Sequence, residues 1–341
     1  MNRYFGYQDK ILLLQHGSTE LLALAQRRGA QLHKLLSGTT IFEQDLHKPH
    51  GRLHHADWLK LLQNCQQQVN SPELPFLLGS AMLNSRYISL CQSLQYAANL
   101  RQALCQLYYF RHQLLPGIYA SVHKYGDTIA IEFKAAVGLK QQQAFIIELV
   151  YSLLLALIKQ QLHSSTGISA ELQCPAPLLP QQYQLHWGCN ISFGQPHNRL
   201  LIPVNLWQQH FITNDAAKFR AARCTCLQLN RLLPKQPGLL EAITRRQRRA
   251  LPQLLTLEQV AVFLGLSSSA LKRLLSQHKT SFAQLIDEVR SGEAINLLQQ
   301  GDYSNRQLAQ RLGYSDEHNF RRAFKRWTGL IPSACKELLK V

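Results

Sequence analysis

Two copies of one helix-turn-helix pattern, set about fifty residues apart, occupy the last hundred residues and constrain the fold more than any other feature. The second copy runs QLAQRLGYSDEHNFRRAFKRWTGLIPS from Gln307 to Ser333. A helix is expected to end at Gly313, where a left-handed turn favours a residue without a Cβ. Ser315 is then placed to cap a second helix whose Phe320, Ala323, Phe324 and Trp327 share one face at helical spacing. Its other face carries Asp316, Glu317, His318, Asn319, Arg321, Arg322 and Lys325. An apolar underside below amide, imidazole and guanidinium groups suits a short helix to the major groove of DNA.

The first copy is TLEQVAVFLGLSSSALKRLLSQH, from Thr256 to His278. Thr256 and Gln259 have the spacing of a capping box, Val260, Ala261 and Leu264 form the buried stripe, and Gly265 makes the turn. Ser267 is the cap of the second helix, with Leu271, Leu274 and Leu275 inward. Ser268, Ser269, Lys272, Arg273 and Gln277 are left outside to meet DNA. Small residues at Ala261 and Ala309 let the paired helices cross closely in both copies.

Between the copies one helical pattern runs from Ser281 to Gln300, with Phe282, Leu285, Ile286, Val289, Ala294, Leu297 and Leu298 as its stripe and Gly301 as its stop. About 20 residues at 1.5 Å each span roughly 30 Å, close to the roughly 34 Å between successive major grooves on one face of B-DNA. Gly292 inside it costs on the order of 1 kcal/mol against Ala. A single helical hairpin is also ordinary in an all-α core. Two copies, each with a cationic second helix and joined by a helix of this length, favour two reading heads one turn of DNA apart.

These residues resemble the DNA-binding domain of the AraC/XylS family of transcription regulators, over Gly238 to Lys340. The first recognition helix has the family's L-x-R pattern in Leu271 and Arg273. The connecting helix has its R-x-x-x-A-x-x-L-L in Arg290, Ala294, Leu297 and Leu298. The second copy matches in Gly313, Tyr314, Asp316, Phe320, Arg322, Phe324 and Lys325, followed by Gly329 and Pro332. The departures are Arg321 and His318, where the family more often has small or polar residues; they add charge or a titratable donor to the DNA face.

The net charge of +17 favours a polyanionic partner. From residue 241 onward, 16 Lys and Arg stand against 9 Asp and Glu, so charge is denser there but not confined to it. The run RRQRR, Arg245 to Arg249, closes a helix expected over Leu239 to Leu251, where cations suit the negative end of the helix dipole. A solvated helix end and a phosphate contact both fit it. The eight cysteines form no C-x-x-C pair, which reads as reduced thiols in a cytoplasmic protein. No signal peptide is evident, and the apolar stretch around Ile146 to Ile158 contains Glu148 and reads as too short to span a bilayer.

The N-terminal two-thirds reads as α+β. Helical patterns cover Ser18 to Lys34, Asp57 to Val69, Ser85 to Leu115 and Gln141 to Gln161. Tyr119 to Val137 reads as a β-hairpin about Tyr125-Gly126-Asp127, and Ile168 to Cys174 and Asn198 to Val204 as strands. This organisation resembles the effector and dimerisation domain of the arabinose-binding-type, ornithine-regulator-like branch of the family, not the small β-barrel of its sugar-responsive members. The expected domains are 1–207 for effector binding and dimerisation, 208–237 as a linker, and 238–341 as an all-α DNA-binding domain with two helix-turn-helix motifs joined by a long helix.

No Gly-rich phosphate loop, G-x-S-x-G or H-E-x-x-H is present, so neither an enzyme nor a cofactor is implied. His47, His50, His54 and His55 lie close in sequence and read as surface histidines rather than a metal site. Tyr108, Arg111 and His112 precede Pro116 and are the candidates for an effector site, with Arg111 pairing a carboxylate; an amphipathic helix with a solvated Arg is the plainer reading. The expectation is a sequence-specific regulator in the cytoplasm, associated with the nucleoid. Its partners would be double-stranded promoter or operator DNA, a small-molecule effector, a second copy of itself and RNA polymerase, with no membrane. The alternative is an effector-independent architectural protein binding DNA by charge alone.

Overall fold

The computed structural model describes residues 3–48, 50–162, 164 and 166–338, with the side chain of Leu338 excepted. Lys340 and the rest of 339–341, read above as the end of the DNA-binding domain, lie outside the described residues. The chain forms two compact units. One comprises Phe5–Ala135 and Leu139–Lys235; the other comprises Gln236 onward with Ala136–Gly138 and the N-terminal residues up to Tyr4.

The larger unit is α+β, as the alternating and helical patterns predict. A short antiparallel pair, β1 (Lys10–Leu13) and β2 (Arg52–His54), lies apart from a five-stranded sheet. That sheet holds β3 (Ile118–Tyr125), β4 (Thr128–Ala135), β5 (Ser169–Glu171), β6 (Asn190–Ser192) and β7 (Arg199–Pro203) in the order β3-β4-β7-β5-β6. The expected hairpin is β3–β4, closed by the Tyr125–Thr128 pair across Gly126-Asp127, with Gly126 at φ +52°. The two later strand readings correspond to β5 and β7, which pair antiparallel, whereas β6 joins β5 in parallel.

Several helical readings shift. Ser18 to Lys34 is two helices, Leu14–Arg27 and Leu32–Leu36, parted at Gly29 with φ +85°. Ser85 to Leu115 breaks into Ser89–Gln95, Leu100–Tyr109 and a 3-10 turn at Arg111–Gln113. The break is built by Asn99, whose side chain accepts a hydrogen bond from the Gln102 amide at 2.9 Å. Gln102 in turn accepts from the Ala98 amide at 2.6 Å, so two otherwise orphaned donors at the helix start are satisfied. The helix Leu74–Leu83 gives no periodic signal because nearly every face of it is covered. It lies against the helix Gln143–Gln161, and a Cβ on Gly79 would come within 2.6 Å of the Leu149 carbonyl oxygen.

Residues 208–237 contain a helix, Ala216–Asn230, capped by the Asp215 carboxylate, which accepts from the Ala217 and Lys218 amides at 2.9 and 3.0 Å. Cys226 on this helix is fully buried in the core of the larger unit. The side-chain amide of Gln113 donates to the Cys226 carbonyl at 2.6 Å. Half of the stretch expected as linker is thus a packed part of that unit.

The apolar segment Lys140–Gln161 is 22 residues long and by length and composition suffices to cross a membrane, which corrects the shorter reading of Ile146 to Ile158. Protein covers 72% of its most apolar window, so it serves as the core helix of its unit. Within it Glu148 is held by the Tyr183 hydroxyl, which donates to Oε1 at 2.5 Å. Burial pushes the Glu148 pKa up to about 7, with the Tyr183 bond opposing.

A folded state that keeps this proton to about pH 7, against 4.5 for an ordinary glutamate, loses stability as pH rises through that window. The loss is about 3 kcal/mol. Thermal unfolding at pH 5 and pH 8 should show it in the native protein, and Glu148→Gln, which keeps an acceptor for Tyr183, should remove most of it. Equal pH slopes in the two proteins would show that Glu148 is not the group responsible.

Candidate nucleic-acid interface

Each helix-turn-helix is built by the same local bonds. In the first, the Thr256 amide donates to Gln259 Oε1 at 2.9 Å and the Gln259 amide to Thr256 Oγ1 at 3.3 Å. In the second, Ser304 and Gln307 exchange the same pair at 2.8 and 3.2 Å. Gly265 and Gly313 both adopt left-handed backbone, at φ +73° and +74°. The next residue closes the turn in each case, Leu266 to the Ala261 carbonyl and Tyr314 to the Ala309 carbonyl, both at 2.9 Å. Val260, Ala261 and Leu264 are buried in one copy, Leu308, Ala309 and Leu312 in the other.

The second helices then differ by one residue in their start. Ser267 caps Ser268–Gln277 as expected, accepting from the Ala270 amide at 3.1 Å. In the second copy the cap is Asp316, not Ser315, and the helix runs Glu317–Thr328. The Asp316 carboxylate accepts from the Asn319 amide at 2.7 Å and from the Ser315 hydroxyl at 3.2 Å. A carboxylate serves a helix start better than a hydroxyl because it also meets the positive end of the helix dipole. Those donors, the Asn319 amide first, hold its pKa below the usual carboxylate value. The extra turn residue brings Arg322 to the same step after its cap as Arg273 after Ser267.

The outward residues lie where the pattern put them. Ser269, Lys272, Arg273 and Gln277 are exposed on the first of these helices and Ser268 is half-buried. Below them Leu271 and Leu275 are buried and Leu274 is half-buried. On the other helix Asp316, Glu317, His318, Arg321, Arg322 and Lys325 are exposed and Asn319 is half-buried, above a fully buried Phe320 and Phe324. Asp316, Asn319 and Arg322 form a chain: Asn319 Nδ2 donates to Asp316 Oδ2, and Arg322 Nη2 donates to Asn319 Oδ1, each at 2.5 Å. The Asn319 amide keeps a second N–H and a second lone pair, already oriented by its neighbours.

Two further contacts hold this helix pair on the connecting helix Phe282–Gln300. Arg290 stacks over the Tyr314 ring at 4.4 Å and donates to the carbonyls of Leu312 and Gly313, at 3.0 and 3.2 Å. Asp287 receives Arg326 Nη2 on both oxygens, at 2.9 and 3.1 Å. A Cβ on Gly313 would collide with the Pro252 carbonyl oxygen, so close approach as well as φ selects glycine there. Of the RRQRR run, Arg245 pairs with the buried Glu241 at 2.6 Å and Arg246 stacks over Phe263 at 4.9 Å. Part of that charge is therefore committed within its own unit.

In the larger unit a cavity of about 380 Å³ opens beside the helix Leu100–Tyr109 and the β3–β4 hairpin. Tyr108 and Arg111 line it. His112 does not; its ring faces Phe5 edge-on at 5.4 Å, and Nδ1 lies 2.8 Å from the Pro234 carbonyl oxygen. Sequence reasoning missed most of the cavity wall, which comes from strands and helices far apart in the chain. Among the described residues no group of histidines, cysteines and carboxylates is arranged to hold a metal ion, the 47–55 histidines included.

Tandem helix-turn-helix motifs on a connecting helix, following a mixed unit with a ligand-sized cavity, define a two-domain DNA-binding regulator with an effector domain. The chain belongs to the AraC family of transcription regulators: residues 29–211 match the family described as the arabinose-binding domain of AraC transcription regulator, N-term, and residues 260–337 match a helix-turn-helix domain family. The Ornithine utilization regulator of Pseudomonas aeruginosa is 26% identical over 93% of this chain and 94% of its own length. The regulator GadX of Escherichia coli is 24% identical over 68% of this chain and 85% of its own. The crystal structure of the regulator CdpR from Pseudomonas aeruginosa aligns over 81% of this chain and 90% of that one, at 20% identity and a TM-score of 0.40.

Arg290→Met should cost about 2 kcal/mol of stability in the DNA-binding unit, since charge-assisted bonds to two carbonyls are lost. Arg321→Met, on an exposed face, should change stability by less than about 0.5 kcal/mol. Urea unfolding of both variants measures this; equal stability in the two would remove Arg290 as the latch of the second turn.

Proposed function

We propose that each of the two exposed helix faces enters a major groove and that together they read adjacent grooves of one operator. Arg273, Arg322 and Lys325 hold phosphates or guanine edges, and Lys272, Gln277 and Arg321 flank them. Ser268, Ser269, His318 and Asn319 read bases, with the amide of Asn319 suited to adenine. Asp316 and Glu317 lie at the helix start, where Asp316 orients Asn319 rather than contacting phosphate. The observation that carries this reading is the matching first-helix capping box and glycine turn of the two copies, each followed by a helix with a cationic outer face.

In this reading the protein acts on the nucleoid in the cytoplasm as a homodimer, so that one operator holds two half-sites. Its larger unit binds the effector and shifts the dimer or DNA-binding equilibrium, and promoter-bound protein contacts RNA polymerase.

Selection of genomic DNA fragments by the purified protein tests the central claim. The expected result is an enriched motif with two blocks about 10 base pairs apart, lost on Arg322→Ala and on Asn319→Ala. Binding without an enriched motif and unaffected by either change would overturn groove reading and leave a protein that binds DNA by charge alone.

A further inference from the structure

We infer that the cavity of the larger unit takes an amphiphilic anion, an apolar body carrying one carboxylate or comparable anionic group held by Arg101 and Arg111. This deepens the reading of that unit as an effector domain and rests on it. The floor of the cavity is made by Leu115, Ile118, Ile131, Phe133 and Val150, all at most 5% exposed. Ile131 and Phe133 are alternate residues of β4, so both project from the same face of the sheet. Such a floor offers no hydrogen bonds to a polar ligand body and rewards apolar area.

Charge is found only at the rim. Arg101 lies in the first turn of the helix Leu100–Tyr109 and is exposed; Arg111 follows the helix end and is half-buried, with its guanidinium 5.3 Å from the centre of the Tyr108 ring. No Asp or Glu is among the described residues that line the cavity. Two guanidinium groups above an apolar floor match a carboxylate or phosphate head in charge and in planar donor geometry. A cationic amino acid such as ornithine would bring its ammonium groups to arginines without a carboxylate to receive them. A sugar would leave its hydroxyls against leucine, isoleucine and phenylalanine, at the cost of unpaired polar groups. The volume, about 380 Å³, lies at the small end of metabolite-sized sites.

The position of Arg111 also gives such a ligand a route to the rest of its unit. Arg111 begins the 3-10 turn Arg111–Gln113. The next two residues of that turn hold the Pro234 and Cys226 carbonyls, at 2.8 and 2.6 Å, just before the chain leaves the unit after Lys235. An anion drawn to Arg111 therefore acts on the turn that grips the departing chain.

Calorimetric titration of the full chain with decanoate, decanol, decylammonium, L-ornithine and L-arabinose tests the ligand class. Decanoate should bind at least about tenfold tighter than decanol or decylammonium, with no binding of ornithine or arabinose at comparable concentration. Arg101→Gln with Arg111→Gln should bring decanoate to the affinity of decanol and leave decanol unchanged. Leu104→Trp, on a half-buried wall residue, should weaken both. Decanoate binding no tighter than decanol, or indifferent to loss of both arginines, would overturn the proposal, as would competitive binding of ornithine or arabinose.

The effector reading is measured separately by operator affinity with and without decanoate. Arginine-dependent binding that leaves operator affinity unchanged supports the ligand class and removes the effector role. A ligand that shifts operator affinity without needing the arginines retains the effector role and overturns this class.

Discussion

The DNA-binding unit depends on the tight turn between the two helices of each motif, and in the second motif that turn is over-determined. Gly313 must reverse the chain in left-handed backbone while passing against the Pro252 carbonyl, where a Cβ would not fit. The helix ending there leaves carbonyls without helical partners. From the connecting helix Arg290 donates to the Leu312 and Gly313 carbonyls, at the cap and just past it, and covers Tyr314 with its guanidinium. One side chain thus ties the turn, the aromatic residue after it and the connecting helix together.

On the outer face, the chain from Asp316 through Asn319 to Arg322 converts flexible polar side chains into an ordered array. Ordering these groups before binding reduces the rotamer entropy lost on contact with DNA. The carboxylate, which repels phosphate if left free, is spent on capping. The first motif has a serine at the equivalent cap, and among the described residues no such chain of side-chain bonds runs along its outer face. The two motifs therefore share a scaffold but differ in how firmly their outer residues are held.

The larger unit solves a different problem. Its core helix is apolar on all sides and is covered by the helix Leu74–Leu83, whose Gly79 permits backbone contact, and by aromatic residues around Trp187. The one carboxyl group of that helix, Glu148, is half-buried and kept by a tyrosine hydroxyl. On the hairpin side the packing is incomplete and leaves the cavity, with its apolar floor and arginine rim. A concave opening lined mostly by apolar side chains with a few polar groups is the usual form of a ligand site.

The tandem motifs were legible because each is made by contacts within about twenty residues: capping pairs at three-residue spacing, a glycine turn, and stripes at helical period. Such features are written in the order of residues, and Thr256, Gln259, Gly265, Ser267 and Gly313 act in the structure as their spacing implies. The choice of Asp316 over Ser315 as cap was not legible, since both types cap well and one extra turn residue decides between them. Leu74–Leu83 gave no period because a helix buried on all faces has none. Ala216–Asn230 looked like a connector because only Ala222 and Cys226 are buried along it. The cavity brings together residues between 101 and 207. Order along the chain thus determined the two helix-turn-helix motifs and the type of outer residue they carry. Tertiary packing alone decided where the larger unit stays open, because a cavity is a property of how distant surfaces fail to meet.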